Sequence, residues 1–152
     1  MRLTRSASLL LAAGTLGLLA WLPRPITASV PASPSASEEL EEAMSQLNRS
    51  IRILSKGVDE ASHEKALGEL VKMQQAILLA KTQMPDTAEA VDEKKRAAFV
   101  GEFRTAMIET LKLVCDTEIA VVNGKYKDAK SLVNKLKQAK TKGHDKFKGE
   151  DH

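Results

Sequence analysis

Aromatic side chains are scarce: one Trp, one Tyr and three Phe, 3% of 152 residues. That scarcity, with few β-branched runs, argues against a sheet-rich fold. A single cysteine, Cys115, excludes an internal disulfide framework and a cysteine-rich zinc site. An excess of one charge is also missing. The formal charge is +3, but Arg2, Arg5 and Arg24 are the only charged side chains before residue 33, so the remaining 20 basic residues match the 20 acidic ones. A balanced chain with few aromatics does not coat nucleic acid, so no nucleic-acid partner is expected. The length fits one domain.

The opening is different in kind from the rest. Met1 to Arg5 is short and cationic, Ser6 to Leu22 carries no charge, and Pro23 and Pro25 follow. The uncharged run suits the apolar region of a signal peptide and falls short of the roughly 20 apolar residues of a bilayer span. Residues 1–32 are therefore predicted to be a signal peptide, cleaved near Ala28 or Ala32; an uncleaved anchor is the alternative. No cysteine follows the run, so lipoprotein-type attachment is not available. The expectation is export to the periplasm, with no membrane association after cleavage. Residues 33–37, rich in Ser, Ala and Pro, read as a flexible spacer, residues 38–148 as the folded domain and 149–152 as a tail.

The domain reads as helix, its apolar residues recurring at spacings of three and four. Segment one, about Ser37 to Lys56, offers Leu40, Met44, Leu47, Ile51 and Leu54, with Ser35 or Ser37 as cap and Gly57 as stop. Segment two, about Ser62 to Met84, turns Leu67, Leu70, Met73, Ile77 and Leu78 inward, and Pro85 closes it. Segment three begins between Thr87 and Glu93, runs to Val122, and buries Val100, Phe103, Met107, Leu111 and Val114. Asn123-Gly124 ends it. Segment four, Lys125 to about Lys148, offers Tyr126, Ala129, Val133, Leu136 and Phe147. A one-sided stripe is stable only against other stripes, and short connections make successive helices antiparallel neighbours. The predicted fold is all-α: an antiparallel up-down-up-down four-helix bundle preceded by a signal peptide.

In that topology the start of segment one and the end of segment four share a pole. Met44 lies roughly 10 Å inside one helix and His144 roughly 6 Å inside the other, at 1.5 Å per residue. Phe99 or Phe103, on segment three, comes alongside, whereas His63 opens segment two at the far pole. A thioether and an imidazole are the pair that fills both axial positions of haem iron in electron carriers. Taken singly, each has a plainer reading: Met44 as core filler on its stripe, His144 as a base favouring a helix C-terminus. Cys115, beside Val114, reads as a buried thiol.

The residues Leu40-Glu41-Glu42-Ala43-Met44-Ser45-Gln46-Leu47-Asn48, Lys72-Met73, Glu102-Phe103-Arg104, Asn123-Gly124-Lys125 and Lys137-Gln138-Ala139-Lys140-Thr141-Lys142-Gly143-His144 resemble the cytochrome b562 family over about residues 38–148. The resemblance implies a periplasmic four-helix bundle, one of the up-down bundles of its class, that holds one non-covalent haem b. It implies axial ligands at Met44 and His144, an aromatic near the porphyrin at Phe103 and a core residue at Met73. The chain departs from the family's best-known member at Lys140, where that member has Arg, and at Gly143, which replaces a larger residue. The related cytochromes c′ carry two cysteines where Lys140 and Gly143 stand, so haem here would be b-type and removable.

With both axial positions filled, the expected chemistry is one-electron shuttling between ferric and ferrous iron, by a carrier and not an enzyme. Leu47, Met73, Phe103, Met107 and Leu136 would wall the iron from water, and Lys140, Lys142, Lys146 and Lys148 would lie near the propionates. An unidentified redox protein is the expected partner, and the chain is expected to be monomeric. Between Lys125 and Lys148 stand nine Lys and two Asp, read as a solvated face or a docking patch. A haem-free helical scaffold accounts for the same stripes, and a metal site from His63, His144 and His152 lacks helical spacing.

Overall fold

The computed structural model describes residues 35–148 and builds them from four long helices: α1 (Ala36–Lys56), α2 (His63–Ala80), α3 (Glu93–Val122) and α4 (Tyr126–Phe147). Two short 3-10 turns, Glu60–Ser62 and Asp86–Ala90, lie in the connections, and no strand occurs among the described residues. The expected signal peptide, Ser33 and Pro34 of the spacer, and the tail with His152 lie outside the described residues.

Each helix starts and stops for a local reason. The Ser35 hydroxyl accepts the Glu38 N–H at 3.3 Å, and the Ser35 N–H donates to the Glu38 carboxylate at 2.7 Å, a reciprocal capping box. Hydrogen bonding from the Ser35 backbone N–H, and after it from the Ser35 side chain, holds the Glu38 carboxyl below its ordinary range. Ala36 and Ser37, assigned above to the spacer, are therefore already helical. Helix α2 ends at Ala80, four residues before the predicted Met84. The Thr82 and Gln83 N–H groups bond three residues back, the Thr82 hydroxyl takes the Leu79 carbonyl at 2.7 Å, and Pro85 draws its predecessor out of the helical region. Asp92 caps α3, and Arg96 donates from Nε to the Ala88 carbonyl at 3.0 Å, fastening the preceding turn to that helix. At the other end of α3, Gly124 takes φ +67°. Its N–H bonds the Val121 carbonyl and the Lys125 N–H the Ala120 carbonyl, which close the helix as a Schellman motif.

α1 packs on α2, α2 on α3, and α3 on α4; α1 and α4 also meet, over the thinnest of the four seams. One core fills the centre: Leu40, Leu47, Ile51 and Leu54 from α1, Leu70, Met73 and Ile77 from α2, Phe103, Met107, Val114 and Val121 from α3, and Val133 and Leu136 from α4. Each such side chain contributes roughly 1.5–3 kcal/mol of burial. Leu78, expected inward, is 47% exposed: it lies a further 100° or so round α2 from Ile77, beyond the buried arc. Leu67, Val100, Leu111, Tyr126 and Phe147 are only partly buried. The buried carboxylate of Glu69 is matched across the α1/α2 seam: Ser50 donates to it at 2.7 Å and Lys72 at 2.8 Å, while Gln46 donates to the Ser50 hydroxyl at 2.9 Å. Among the described residues no buried side-chain polar atom lacks a partner, and none of the helices is long and apolar enough to cross a membrane.

Candidate functional site

One end of the bundle is laced together by the α2–α3 connection. The Ser37 hydroxyl, in the first turn of α1, donates to the Asp86 carboxylate at 3.0 Å. The next residue, Thr87, donates from its hydroxyl to the Phe147 carbonyl at 2.8 Å, in the last turn of α4. Gln83 donates to Glu39 at 3.1 Å. The start of α1 and the end of α4 thus lie at the same end, as the sequence predicts. The Phe147 ring meets Phe99 and Phe103 edge-on, both at 5.3 Å between centroids, so the start of α3 lies there too. At the opposite end the His63 ring and the Tyr126 hydroxyl are hydrogen-bonded at 3.2 Å. His63 is therefore remote from His144, and no cluster of three or more His, Cys, Asp or Glu forms a metal site among the described residues.

Measured from the laced end at 1.5 Å per residue, Met44 lies about 10 Å along α1 from Ser37, and His144 about 4.5 Å along α4 from Phe147. The difference is close to one helical turn. Their angular positions follow from the neighbours. On α1, Ser50 marks the flank facing α2, because it bonds Glu69; Met44 stands roughly 120° round from it, on the far side of the Leu40–Leu47–Leu54 line. On α4, Ala139, Lys142, Gly143 and Lys146 line a groove against α3; His144 is about 100° beyond Gly143, away from that groove. Met44 and His144 therefore border the α1/α4 seam from its two sides.

Leu47, Met73, Phe103, Met107 and Leu136 are all buried in the common core, and Met44, partly buried, packs against it. His144 and Lys140 are exposed. Val133, three turns earlier on α4 and only about 20° away in angle, is buried, so the exposure of His144 follows from its place in the last turn. Its ring makes no hydrogen bond among the described residues, unlike that of His63. The lysines divide. Lys146 is paired with Glu102 of α3 at 2.9 Å and Lys142 lines the α3 groove, whereas Lys140 lies about 40° round α4 from His144, on its flank. A cavity of about 770 Å³ is that same α3/α4 groove, with Met107 and Phe147 in its lining and neither Met44 nor His144. It is open partly because Gly101 and Gly143 have no side chains: a Cβ at either meets nothing within 4 Å.

Sequence reasoning undervalued Phe147 and missed Thr87. Phe147 sits on the apolar stripe of α4 three residues past His144, a legible signal; the Thr87 bond joins residues 60 apart and leaves no local trace. Cys115, expected buried, is partly exposed, because the fully buried Val114 beside it takes the inward position.

A thioether and an imidazole thus stand near one end of the bundle, about one helical turn apart in depth, beside the least packed seam. A comparison with curated proteins finds no match. The family profile described as cytochrome b562 matches residues 39–148, nearly the whole described chain. On four helices, an apolar core and that match, the chain belongs to the cytochrome b562 family.

Proposed function

We propose that this chain is a periplasmic electron-transfer protein that binds one non-covalent haem b between Met44 and His144, within an antiparallel up-down-up-down bundle. Family membership supports a b-type haem and electron transfer. Support for the helix directions comes from the lacing of Ser37, Asp86, Thr87 and Phe147 at one end and His63 with Tyr126 at the other. What supports the ligand assignment is the shared end of α1 and α4, together with the helical angles that turn Met44 and His144 toward the thin α1/α4 seam. The cationic, then uncharged, leader supports export.

When bound, the haem supplies one-electron chemistry between ferric and ferrous iron. The Met44 thioether is a soft donor that favours the ferrous state and raises the reduction potential. His144 would hold the iron through its imidazole and so tether α4 to α1. Leu47, Met73, Phe103, Met107 and Leu136 exclude water from the centre. Lys140, on the flank of His144, neutralises a carboxylate emerging at the surface. With Met44 and His144 both holding the iron, no site would be left for oxygen or substrate, which is the arrangement of a carrier.

Titrating haemin into the purified protein tests the reading. One equivalent should bind and give, on reduction, the sharp visible bands of six-coordinate low-spin iron; Met44→Ala should convert these to a high-spin spectrum. A protein that takes up no haemin, or a spectrum unmoved by Met44→Ala, would overturn the assignment and leave a helical scaffold.

A further inference from the structure

Helix α4 concentrates the positive charge of a balanced domain. Tyr126–Phe147 holds seven Lys and two Asp, a surplus of five, while residues 33–152 carry 20 basic and 20 acidic groups, so the remainder is negative by five. All seven lysines are exposed. At 100° per residue they sort round the helix. Lys135, Lys142 and Lys146 line the α3 groove, where Lys146 meets Glu102. Lys130, Lys137 and Lys140 lie within about 40° of His144, on the flank toward α1, and Lys127 stands between the two groups. Neither acid of α4 falls on the His144 flank: Asp145 is about 100° and Asp128 about 160° round from His144. The direction of the row has an independent mark. The Asp59 carboxyl, in the α1–α2 connection, is lowered first by the Ser62 side chain and further by the Lys130 charge.

Nothing within the fold accounts for this row. Lys137 and Lys140 are in no ion pair among the described residues, and Glu41 of α1, about 60° beyond Met44, pairs with neither. Cations in a last turn favour the helix dipole, but Lys137 stands ten residues before Phe147, beyond that reach. Like charges one turn apart, as Lys137 and Lys140 are, oppose the helix that carries them. Solubility is served by both signs interspersed, not by one sign sorted onto one flank. The flank is also open where the charges stand: Val133 is buried on it, whereas Lys137, Lys140 and His144 are exposed.

We propose that this row docks an acidic redox protein, whose carboxylates lie against Lys130, Lys137 and Lys140 beside His144. The acidic surface follows from the lysines; that its owner exchanges electrons rests on the haem reading above. From Lys130 to Lys140 the row spans about 15 Å, a patch suited to the small interfaces of transient redox encounters. Charge of one sign steers such a partner in from a distance, and contacts that stay wet let it leave again. A lipid surface fits less well. A helix that lies on lipid pairs its basic face with an apolar one, and the large exposed apolar residues, Ile119 and Val122 foremost, lie on α2, α3 and the connection between them, none on α4 among the described residues. A second copy related by a two-fold through the row would set lysine against lysine.

The test uses the purified haem-free chain with flavodoxin, an acidic one-electron flavoprotein, as the probe. Fluorescence anisotropy of labelled flavodoxin should show binding at about 10 mM salt that fades by about 0.2 M. Lys130→Glu with Lys137→Glu should weaken it about tenfold; Lys140 is left in place because it also serves the haem carboxylate. Lys135→Glu with Lys142→Glu makes the same change of net charge on the far side of α4 and should weaken binding less than about twofold. Circular dichroism melts of both pairs should match the parent, separating loss of docking from loss of fold. In the haem-loaded protein, electron transfer from reduced flavodoxin should slow for the first pair and not the second. Equal weakening by the two pairs, no binding at low salt, or a row that prefers vesicles of equal phosphatidylcholine and phosphatidylglycerol, or a second copy, to flavodoxin would overturn the proposal. A chain that takes up no haemin fails the haem reading instead, and the anisotropy, made without haem, still decides the docking row.

Discussion

Ser50→Ala isolates the buried polar contact that joins α1 to α2. The Ser50 side chain is fully buried, donates to Glu69 at 2.7 Å and accepts from Gln46 at 2.9 Å. A hydrogen bond to a charged group contributes about 1.5–3 kcal/mol. Lys72 remains at 2.8 Å from the other carboxylate oxygen, so the ion is still paired and the loss belongs in the lower half of that range, about 2 kcal/mol. For a domain of this size that is a fall in Tm of roughly 8 °C. The effect must also depend on pH. Burial of Glu69 opposes its ionisation, but the Lys72 ammonium and Ser50 hydroxyl outweigh it, and its carboxyl titrates below the ordinary value of 4.5. A lowered carboxyl stabilises the fold above its unfolded value and loses that contribution as pH falls through its folded value. Urea unfolding of the haem-free protein, followed by far-ultraviolet circular dichroism, should therefore show the full cost of Ser50→Ala at neutral pH. Below pH 4.5 that cost should shrink as Glu69 takes up a proton. A loss under about 0.5 kcal/mol at neutral pH, or an equal loss at both ends, would refute the reasoning.

Two glycines should respond with opposite sign. Gly143→Ala adds a Cβ that meets nothing within 4 Å inside a helix, and should raise stability by about 0.5–1 kcal/mol in thermal melts. Gly124→Ala forces an L side chain to φ +67° in the Schellman turn and should cost about 1–2 kcal/mol. His144→Ala should leave the haem-free melting curve within about 0.5 kcal/mol of the parent, because the ring is exposed and makes no hydrogen bond among the described residues, yet should abolish the low-spin spectrum. A large loss of haem-free stability would instead assign His144 a structural role.

Periodicity and punctuation made the helices legible before any coordinates. The three-and-four spacing of Leu40, Leu47 and Leu54 names the buried face of α1, and Asn123-Gly124 marks the end of α3, because these signals act within a few residues of themselves. The end of α2 was misjudged for a related reason: Pro85 is visible in sequence, but the tightening at Lys81–Gln83 depends on which carbonyls the Thr82 and Gln83 groups find. Met44 and His144 were legible as a pair only through residue type and depth, one hundred positions apart.

By itself, then, the amino-acid order determined four amphipathic rods, their stops, and two donors of the right chemistry near one pole, since propensity, capping and apolar spacing are local properties of the chain. Only the tertiary structure decided that Glu69 is buried against Ser50, that Lys146 turns to Glu102, that the α1/α4 seam is the thin one, and that Cys115 is partly exposed. Those outcomes depend on how each rod is rotated about its own axis against its neighbours, and a stripe wide enough to pack leaves that rotation open until all four cores close together.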